Sequence, residues 1–518
     1  MTRDPDYRTV SPSASPVPDD PRRTTIGDLA LLLGDALSEA PPQRHASVVT
    51  GVSDDSRTVQ PGDLYAALPG NSFHGITFDA DAARRGAVAI LSDRPSRYLP
   101  TLVVEDPRRW VGPLASWIHR HPSRAMDVHG VTGTNGKTSA TYLLDTALTT
   151  LGIVTGIISG VTVRGPAGAR PATHTTPEAS VLQRTLAEFR RQAVDAVPME
   201  VSSHAISQGR VDGVWFRTVA FTNLGPDHLD FHGTMDRYFA AKAALFTPER
   251  AQAAVVNLDD EYARRLAAIT EIPVWTHSAS DTRADVFADE IHCSAEGTEF
   301  IVHTCDGNAR VRLSLLGPHQ VGNALTALTS LAASGADVLV AAAGLETLRG
   351  VPGRLERIDA GQDFLALVDY MHNTPGQQQL LPFLRSLTPG GRLILVIGAT
   401  GDRDAGKRFP LGHTAATYAD IVVVTDESPF SENPHHLRAA VAEGAHAAGR
   451  AEVFVEPDRR RAFDLAVAFA TGGDVLVVAG RGSDPHQSFG HTTREFDDRR
   501  QLREALHHAK DAARHGPI

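Results

Sequence analysis

The chain has 518 residues, a formal net charge of -11 at pH 7 and 42% hydrophobic residues. That length implies roughly three domains, the negative charge argues against general nucleic-acid binding, and no apolar run is long enough to cross a bilayer. Cys293 and Cys305, the two cysteines, form no disulfide framework and have no metal-ligand neighbours.

Residues 1–23, rich in Pro, Asp and Arg without an apolar core, read as a disordered tail and not as a signal peptide; the expected location is the cytoplasm. Residues 24–125 carry short strands at 48–52, 64–68 and 87–91, expected to form a small α/β domain. Residues 126–350 open with a β-rich lead-in (Met126, Val128, Val131) and the stretch Gly130-Val131-Thr132-Gly133-Thr134-Asn135-Gly136-Lys137-Thr138-Ser139. A helix is expected over 140–148. Further strands at 154–159, 196–199, 218–221 and 253–256, separated by helical stretches, predict a parallel sheet with crossover helices. The pattern resets near Val351-Pro352-Gly353. Strands at 364–368, 393–397, 421–424 and 475–479 imply a third sheet like a dinucleotide-binding fold, in a segment running from 351 to 518. The tail from Asp497 is charged and helical.

The stretch from 130 to 139 reads as a phosphate-binding loop. Glycines let backbone N–H groups turn toward phosphate oxygens, and the following helix adds a partial positive charge at its N-terminus. Lys137 adds a full charge, and the Thr138 hydroxyl is placed for a nucleotide-bound Mg²⁺. The usual pattern wants a glycine six residues before the lysine, where Val131 stands; Gly130 and Gly133 flank it. The alternative is a glycine-rich strand-to-helix turn with no ligand. Glu200 closes a predicted strand, where ligands of open α/β sheets bind. The segment Asn223-Leu224-Gly225-Pro226-Asp227-His228-Leu229-Asp230-Phe231-His232-Gly233 follows another strand and carries two histidines and two aspartates. Histidines in such loops are more often structural, but here they accompany Glu200 and the phosphate loop. Lys242 lies on an alanine-rich apolar stretch, where a lysine usually snorkels to solvent. Its burial beside a metal would require neutralising it or converting it to an anion.

These motifs, in this order, resemble the Mur ligase family of peptidoglycan synthesis, closest to its UDP-N-acetylmuramoyl-tripeptide synthetase (MurE) type. The resemblance runs from about Ser47 to Arg500. Gly133–Thr138 is similar to the family's phosphate loop, and Asp227–His232 to its Asp-His-Leu-Asp-aromatic-His loop. Asp55-Ser56-Arg57 with Pro61-Gly62-Asp63-Leu64 resembles the uridine-nucleotide module. Gly401-Asp402-Arg403-Asp404 with Gly406-Lys407-Arg408 resembles the third-domain signature. The implied fold is α/β in three domains: a small N-terminal UDP-binding domain, a central P-loop ATPase-type parallel sheet and a C-terminal Rossmann-like domain.

The resemblance implies an ATP- and Mg²⁺-dependent ligase that adds an amino acid to UDP-N-acetylmuramoyl-L-alanyl-D-glutamate through an acyl phosphate, acting as a monomer, without nucleic acid and without membrane insertion. It implies that Gly133, Thr134, Asn135, Gly136, Lys137, Thr138 and Ser139 bind ATP phosphates. Asn257, Asn323, Arg354 and Asp369 would grip adenosine or phosphate. Thr138, Glu200 and His228 would surround Mg²⁺, with Lys242, carbamylated by CO₂, holding a second ion. Lys137, Glu200, His228 and Lys242 are thereby the expected catalytic set. Ser56, Thr175, Thr176, Ser202, Gln208 and Arg210 would hold the UDP-sugar peptide, and Arg403, Phe430, Gly480 and Asp484 the amino acid.

Departures from the family's pattern fall in the third domain. Asp369-Tyr370-Met371-His372-Asn373-Thr374-Pro375 has Met371 and one extra residue. Diaminopimelate-adding members carry Asp-Asn-Pro-Arg, whose arginine grips the distal carboxylate; here Glu427-Ser428-Pro429-Phe430 stands instead, and Phe430 forms no bidentate carboxylate pair. The family's Gly-Lys-Gly-His-Glu reads Gly480-Arg481-Gly482-Ser483-Asp484. Two expectations stand side by side: a paralogue ligating another amino acid, or a diaminopimelate enzyme that uses another cation such as Arg481. A folylpolyglutamate-type ligase fits the Asp55-Ser56-Arg57 and Thr175-Thr176-Pro177 motifs less well. A catalytically inactive nucleotide-binding partner would have lost Lys137, Glu200, His228 or Lys242, and all four are present.

Overall fold

The computed structural model describes residues 23–39, 46–70 and 73–515. The tail expected at 1–23 therefore lies outside the described residues, Arg23 excepted. Three sheets carry the fold. A five-stranded sheet uses strands between Leu37 and Val104. An eleven-stranded sheet spans the middle of the chain, and a six-stranded sheet is built from Glu356 onward. Among the described residues no helix is long and apolar enough to cross a membrane.

The centre of the eleven-stranded sheet is parallel. Strand Asp127–Thr132 pairs with Ala196–Glu200 on one side and Phe216–Phe221 on the other. Ala251–Asn257 follows Phe216–Phe221, again parallel. These strands are apolar on both faces, as expected of strands buried under crossover helices: Val128, Val197, Val219 and Val255 are all fully buried. The chain leaves the central strand and returns first on one side, then on the other. That reversal opens a crevice at the carboxyl ends of the strands, where Thr132, Glu200 and Phe221 stop.

The sheet is not wholly parallel, as the crossover pattern alone predicts. Antiparallel strands flank the parallel core: Val286–Cys293, Thr298–Thr304 and Gly307–Leu313 at one edge, Thr162–Gly165 and Gly168–Pro171 at the other. The last sheet orders Leu365–Val368, Val475–Val478, Leu393–Ile397 and Ile421–Val424 in parallel. The helical tail predicted after Asp497 forms as Asp498–His515. The first sheet is fastened to the second by the Ser180 hydroxyl donating to Asp54 (2.9 Å) and the Arg184 guanidinium donating to the Val52 carbonyl (2.9 Å).

Candidate active site

The carboxyl ends of the central strands face the loops after the strands of the third sheet across a cleft of about 1310 Å³. The phosphate-type loop lies at its floor. Strand Asp127–Thr132 runs into Gly133, and helix Lys137–Thr150 starts four residues later. Gly136 has φ of +87°, and a Cβ there would come 2.3 Å from Asn323 Oδ1. A side chain is thus excluded both by conformation and by the helix His319–Ser334 behind the loop. The loop is pinned from the neighbouring strand: Asn135 N–H donates to Asn223 Oδ1 (3.0 Å), and the Thr222 hydroxyl donates to the Asn135 carbonyl (2.7 Å). Lys137 Nζ donates to the Gly133 and Thr134 carbonyls at 2.9 and 2.8 Å. Thr138 accepts a bond from Arg354 of the third domain at 2.9 Å.

Glu200 is buried at the end of its strand, and its Oε1 accepts from Gly160 N–H at 2.7 Å. His228 adopts a left-handed backbone conformation, φ +53°. Enclosure holds its imidazole down to about 4, against the pull of Asp227. Lys242 does not snorkel. It is 1% exposed, and its Nζ donates to the Gly133 carbonyl at 2.8 Å. Burial first, then the nearby charge of Lys137, push its pKa well below the ordinary lysine range. Burial thus favours the uncharged amine beside the phosphate loop, and it is the uncharged form of an amine that adds to CO₂. Among the described residues no three His, Cys, Asp or Glu side chains cluster as a metal cage. The donors Thr138, Glu200 and His228 are sparse, which fits a cation that keeps most of its water and phosphate ligands, as Mg²⁺ does.

Thr134, Asn135, Gly136, Thr138, Ser139, Asn257, Asn323, Arg354 and Asp369 all line the cleft. Asn257 Nδ2 donates to the Thr222 carbonyl at 2.9 Å, and both oxygens of Asp369 already accept backbone N–H groups, from Leu355 and Met371. On the other flank, Thr175, Thr176, Ser202 and Arg210 line the same space. Thr176 is fully buried; its hydroxyl donates to the Glu200 carbonyl and accepts from Ser202 N–H, so its work is to hold that strand end. Ser202 caps the short helix Ser203–Ser207. Arg210 is held by Gln208 Oε1 at 2.8 Å and by Glu178 at 2.9 Å. Ser56 sits in the first sheet's domain and does not line the cleft.

At the third-domain end, Arg403 and Asp484 line the cleft; Phe430 and Gly480 do not. Phe430, at φ +49°, lies 5.9 Å from the Arg403 guanidinium. Arg481 is no replacement cation. It is 1% exposed, donates to the carbonyls of Asp484, His486 and Phe496, and shares buried Asp498 with Arg459. The expectation that Arg481 reads a distal carboxylate is thus corrected: its guanidinium is consumed inside the domain.

The sequence motifs assign no role to His204 and Asn373, which line the cleft, or to Glu427, which does not. His204 meets the His228 ring edge-on at 4.8 Å. Asn373 reaches Asp227 from the third domain, its Nδ2 3.1 Å from Oδ2. Glu427 is 5% exposed, and its Oε2 has no hydrogen-bond partner among the described residues. That oxygen lies against Gly480, where a Cβ would stand 2.6 Å away. The extra residue around Asn373 was a visible signal for one of them.

Three family models match the chain. The Mur ligase family catalytic domain matches residues 48–114, the Mur ligase middle domain 131–331, and the Mur ligase glutamate ligase domain 353–482. The UDP-N-acetylmuramoyl-L-alanyl-D-glutamate–2,6-diaminopimelate ligase of Streptomyces avermitilis is 44% identical over 504 residues, covering 95% of this chain and 98% of that protein. The UDP-N-acetylmuramyl-tripeptide synthetase of Leifsonia xyli is 40% identical, covering 89% of this chain and 92% of its own. A solved structure of a UDP-N-acetylmuramoyl-L-alanyl-D-glutamate–2,6-diaminopimelate ligase aligns with a TM-score of 0.63 at 29% identity, covering 92% of this chain and 98% of that one.

Proposed function

The chain belongs to the Mur ligase family, and from that premise we propose that it joins an amino acid to the free carboxylate of UDP-N-acetylmuramoyl-L-alanyl-D-glutamate, as a monomer, with ATP and Mg²⁺. The supporting observation is the cleft itself. One continuous space joins the phosphate loop, the Thr175–Arg210 flank and the Arg403–Asp484 end.

The chemistry follows from what a carboxylate lacks. Oxide is not a usable leaving group, so the carboxylate oxygen first captures the γ-phosphoryl group of ATP and ADP departs. The acyl phosphate is then attacked by the amine of the incoming amino acid. Phosphate leaves, the amine gives up a proton, and an amide remains. Phosphoryl transfer asks for positioning and charge neutralisation rather than covalent help. Lys137, at the loop, supplies a fixed cation for the developing charge. Thr138, Glu200 and His228 are the residues that would hold Mg²⁺, which when bound neutralises phosphate charge. Lys242 is proposed to carry a carbamate. Its burial, which disfavours the charged amine, fits that modification, and a carbamate would turn an awkward buried amine into an anion suited to a second cation.

Arg403 is proposed to bind the α-carboxylate, and Asp484 to offer a carboxylate to an ammonium group. The relatives named above for diaminopimelate leave the amino acid of this chain open, because neither Phe430 nor Arg481 presents a cation to a distal carboxylate. The reading is therefore an amino-acid ligase whose distal selectivity is not set by a guanidinium at those two positions. Purified protein with ATP, Mg²⁺ and UDP-muramoyl-dipeptide, offered a panel of amino acids, tests it by product mass and phosphate release. One residue added per phosphate supports the reading. Turnover with diaminopimelate alone removes the altered-selectivity part, and no ligation with any member removes the whole.

A further inference from the structure

We infer that Asn373 is a positioning residue for the phosphoryl-transfer site, acting through Asp227. The inference rests on the ligase reading above and adds a device that couples docking of the third domain to the setting of His228.

Asn373 is 3% exposed and caps helix Thr374–Ser386. Its Oδ1 accepts the Gly376 N–H at 2.8 Å, and its Nδ2 donates to Asp227 Oδ2 at 3.1 Å. The orientation of this amide is fixed by its two partners. A backbone N–H only donates and an ionised carboxylate only accepts, so a flipped amide would lose both bonds. One side chain thus ties a helix start in the third domain to a loop of the central domain, 146 residues away in sequence. Beside it, Pro375 packs on Gly225: a Cβ on that glycine would stand 3.3 Å from the proline ring.

Asp227 passes the contact on. Its Oδ1 accepts the N–H of His228 at 3.0 Å. His228 needs that support, because it is a non-glycine residue in the left-handed region, a conformation that costs about 1–2 kcal/mol. A carboxylate held on one oxygen by Asn373 is presented squarely to His228 N–H on the other. With the third domain docked, Asp227 is met by Asn373 and, at 3.6 Å on the same oxygen, by His372 Nε2; undocked, the carboxylate loses both, and Asn373 is the one that donates at hydrogen-bond distance. Closure that completes a reaction site in this way commits the bound substrate.

Three variants test the coupling. Asn373→Ser keeps an oxygen for the helix cap and deletes the donor. Asn373→Asp keeps the cap and sets a second carboxylate against Asp227. The pair Asp227→Asn with Asn373→Asp exchanges donor and acceptor across the same gap. Loss of one charge-assisted hydrogen bond predicts a fall in kcat of about tenfold for Asn373→Ser, with an unchanged thermal midpoint. Asn373→Asp falls further, and the reciprocal pair recovers most of that loss, which a purely local capping role would not give. Small-angle scattering with a non-hydrolysable ATP analogue reads docking without any ligation. There Asn373→Ser shifts the nucleotide-bound protein toward the open form. An unchanged scattering curve and unchanged kcat for Asn373→Ser, or a reciprocal pair no faster than Asn373→Asp, overturns the inference. A wild-type protein that ligates nothing, while Asn373→Ser still shifts the scattering curve, would instead sink the ligase reading alone.

Discussion

The two ends of the cleft are built on different terms. At the phosphate end the groups that matter are backbone N–H donors, a glycine that tolerates no Cβ, and cations within one helical turn. The glycine, the N–H donors and Lys137 lie on one strand–loop–helix unit of a few residues, against which Glu200, His228 and Lys242 are set by neighbouring elements, and triphosphate geometry leaves little to vary. At the amino-acid end the groups come from separate loops of the third sheet, and their roles depend on which way each long side chain turns. Arg481 shows the difference. Its place in the sequence suggests a ligand-binding cation, but Asp498 and three carbonyls draw it into the domain. The phosphate end is thus constrained by its ligand, whereas the amino-acid end is constrained by its own packing.

Breaking the phosphate end should cost most. Lys137→Ala is expected to lower kcat roughly a thousandfold, about 4 kcal/mol of transition-state stabilisation, with folding intact. Phosphate release in single-turnover runs checks this, and a loss confined to KM would show that the lysine merely binds nucleotide. At the other end, Arg481→Leu should act on stability rather than on rate per folded molecule. It leaves the shared carboxylate and the three carbonyls short of donors, for about 3 kcal/mol. Hydrogen exchange along Val475–Val478 reads it; unchanged protection together with a changed amino-acid KM would return Arg481 to the binding site. Arg403→Ala should raise the KM for the amino acid by roughly tenfold or more, the value of a charged hydrogen bond, while the KM for ATP stays put. The smallest effect belongs to Phe430→Arg. It should raise diaminopimelate kcat/KM relative to a lysine-like competitor by about tenfold. No change would mean that residue 430 does not face the distal group.

The same contrast explains what the sequence made legible. The three sheets, the strands at 393–397 and 421–424 and the phosphate loop follow from local apolar runs and glycine spacing, and the structure has them there. Expectations failed where distant residues decide. Lys242 by its own helix would be a snorkelling lysine; the family resemblance alone places it at the site, and contacts with the Gly133 carbonyl and the Tyr238 ring hold it inside. The antiparallel strands between Val286 and Leu313 do alternate, Val311 and Leu313 inward against exposed Arg310 and Arg312, but the crossover pattern that predicts the parallel core does not extend to them. The Asn373–Asp227 contact joins two domains, and no window of either segment contains it. The Glu427 carboxylate, bonded to the Thr400 hydroxyl through one oxygen and unpartnered among the described residues at the other, is likewise a property of the packed third sheet.

The central claim is that the acceptor's own carboxylate oxygen takes the phosphoryl group. UDP-muramoyl-dipeptide labelled with ¹⁸O in its free glutamyl carboxyl, turned over with ATP and the preferred amino acid, addresses it without any mutation. The account predicts one ¹⁸O atom in each phosphate released as amide forms. Amide formation accompanied by unlabelled phosphate would contradict it.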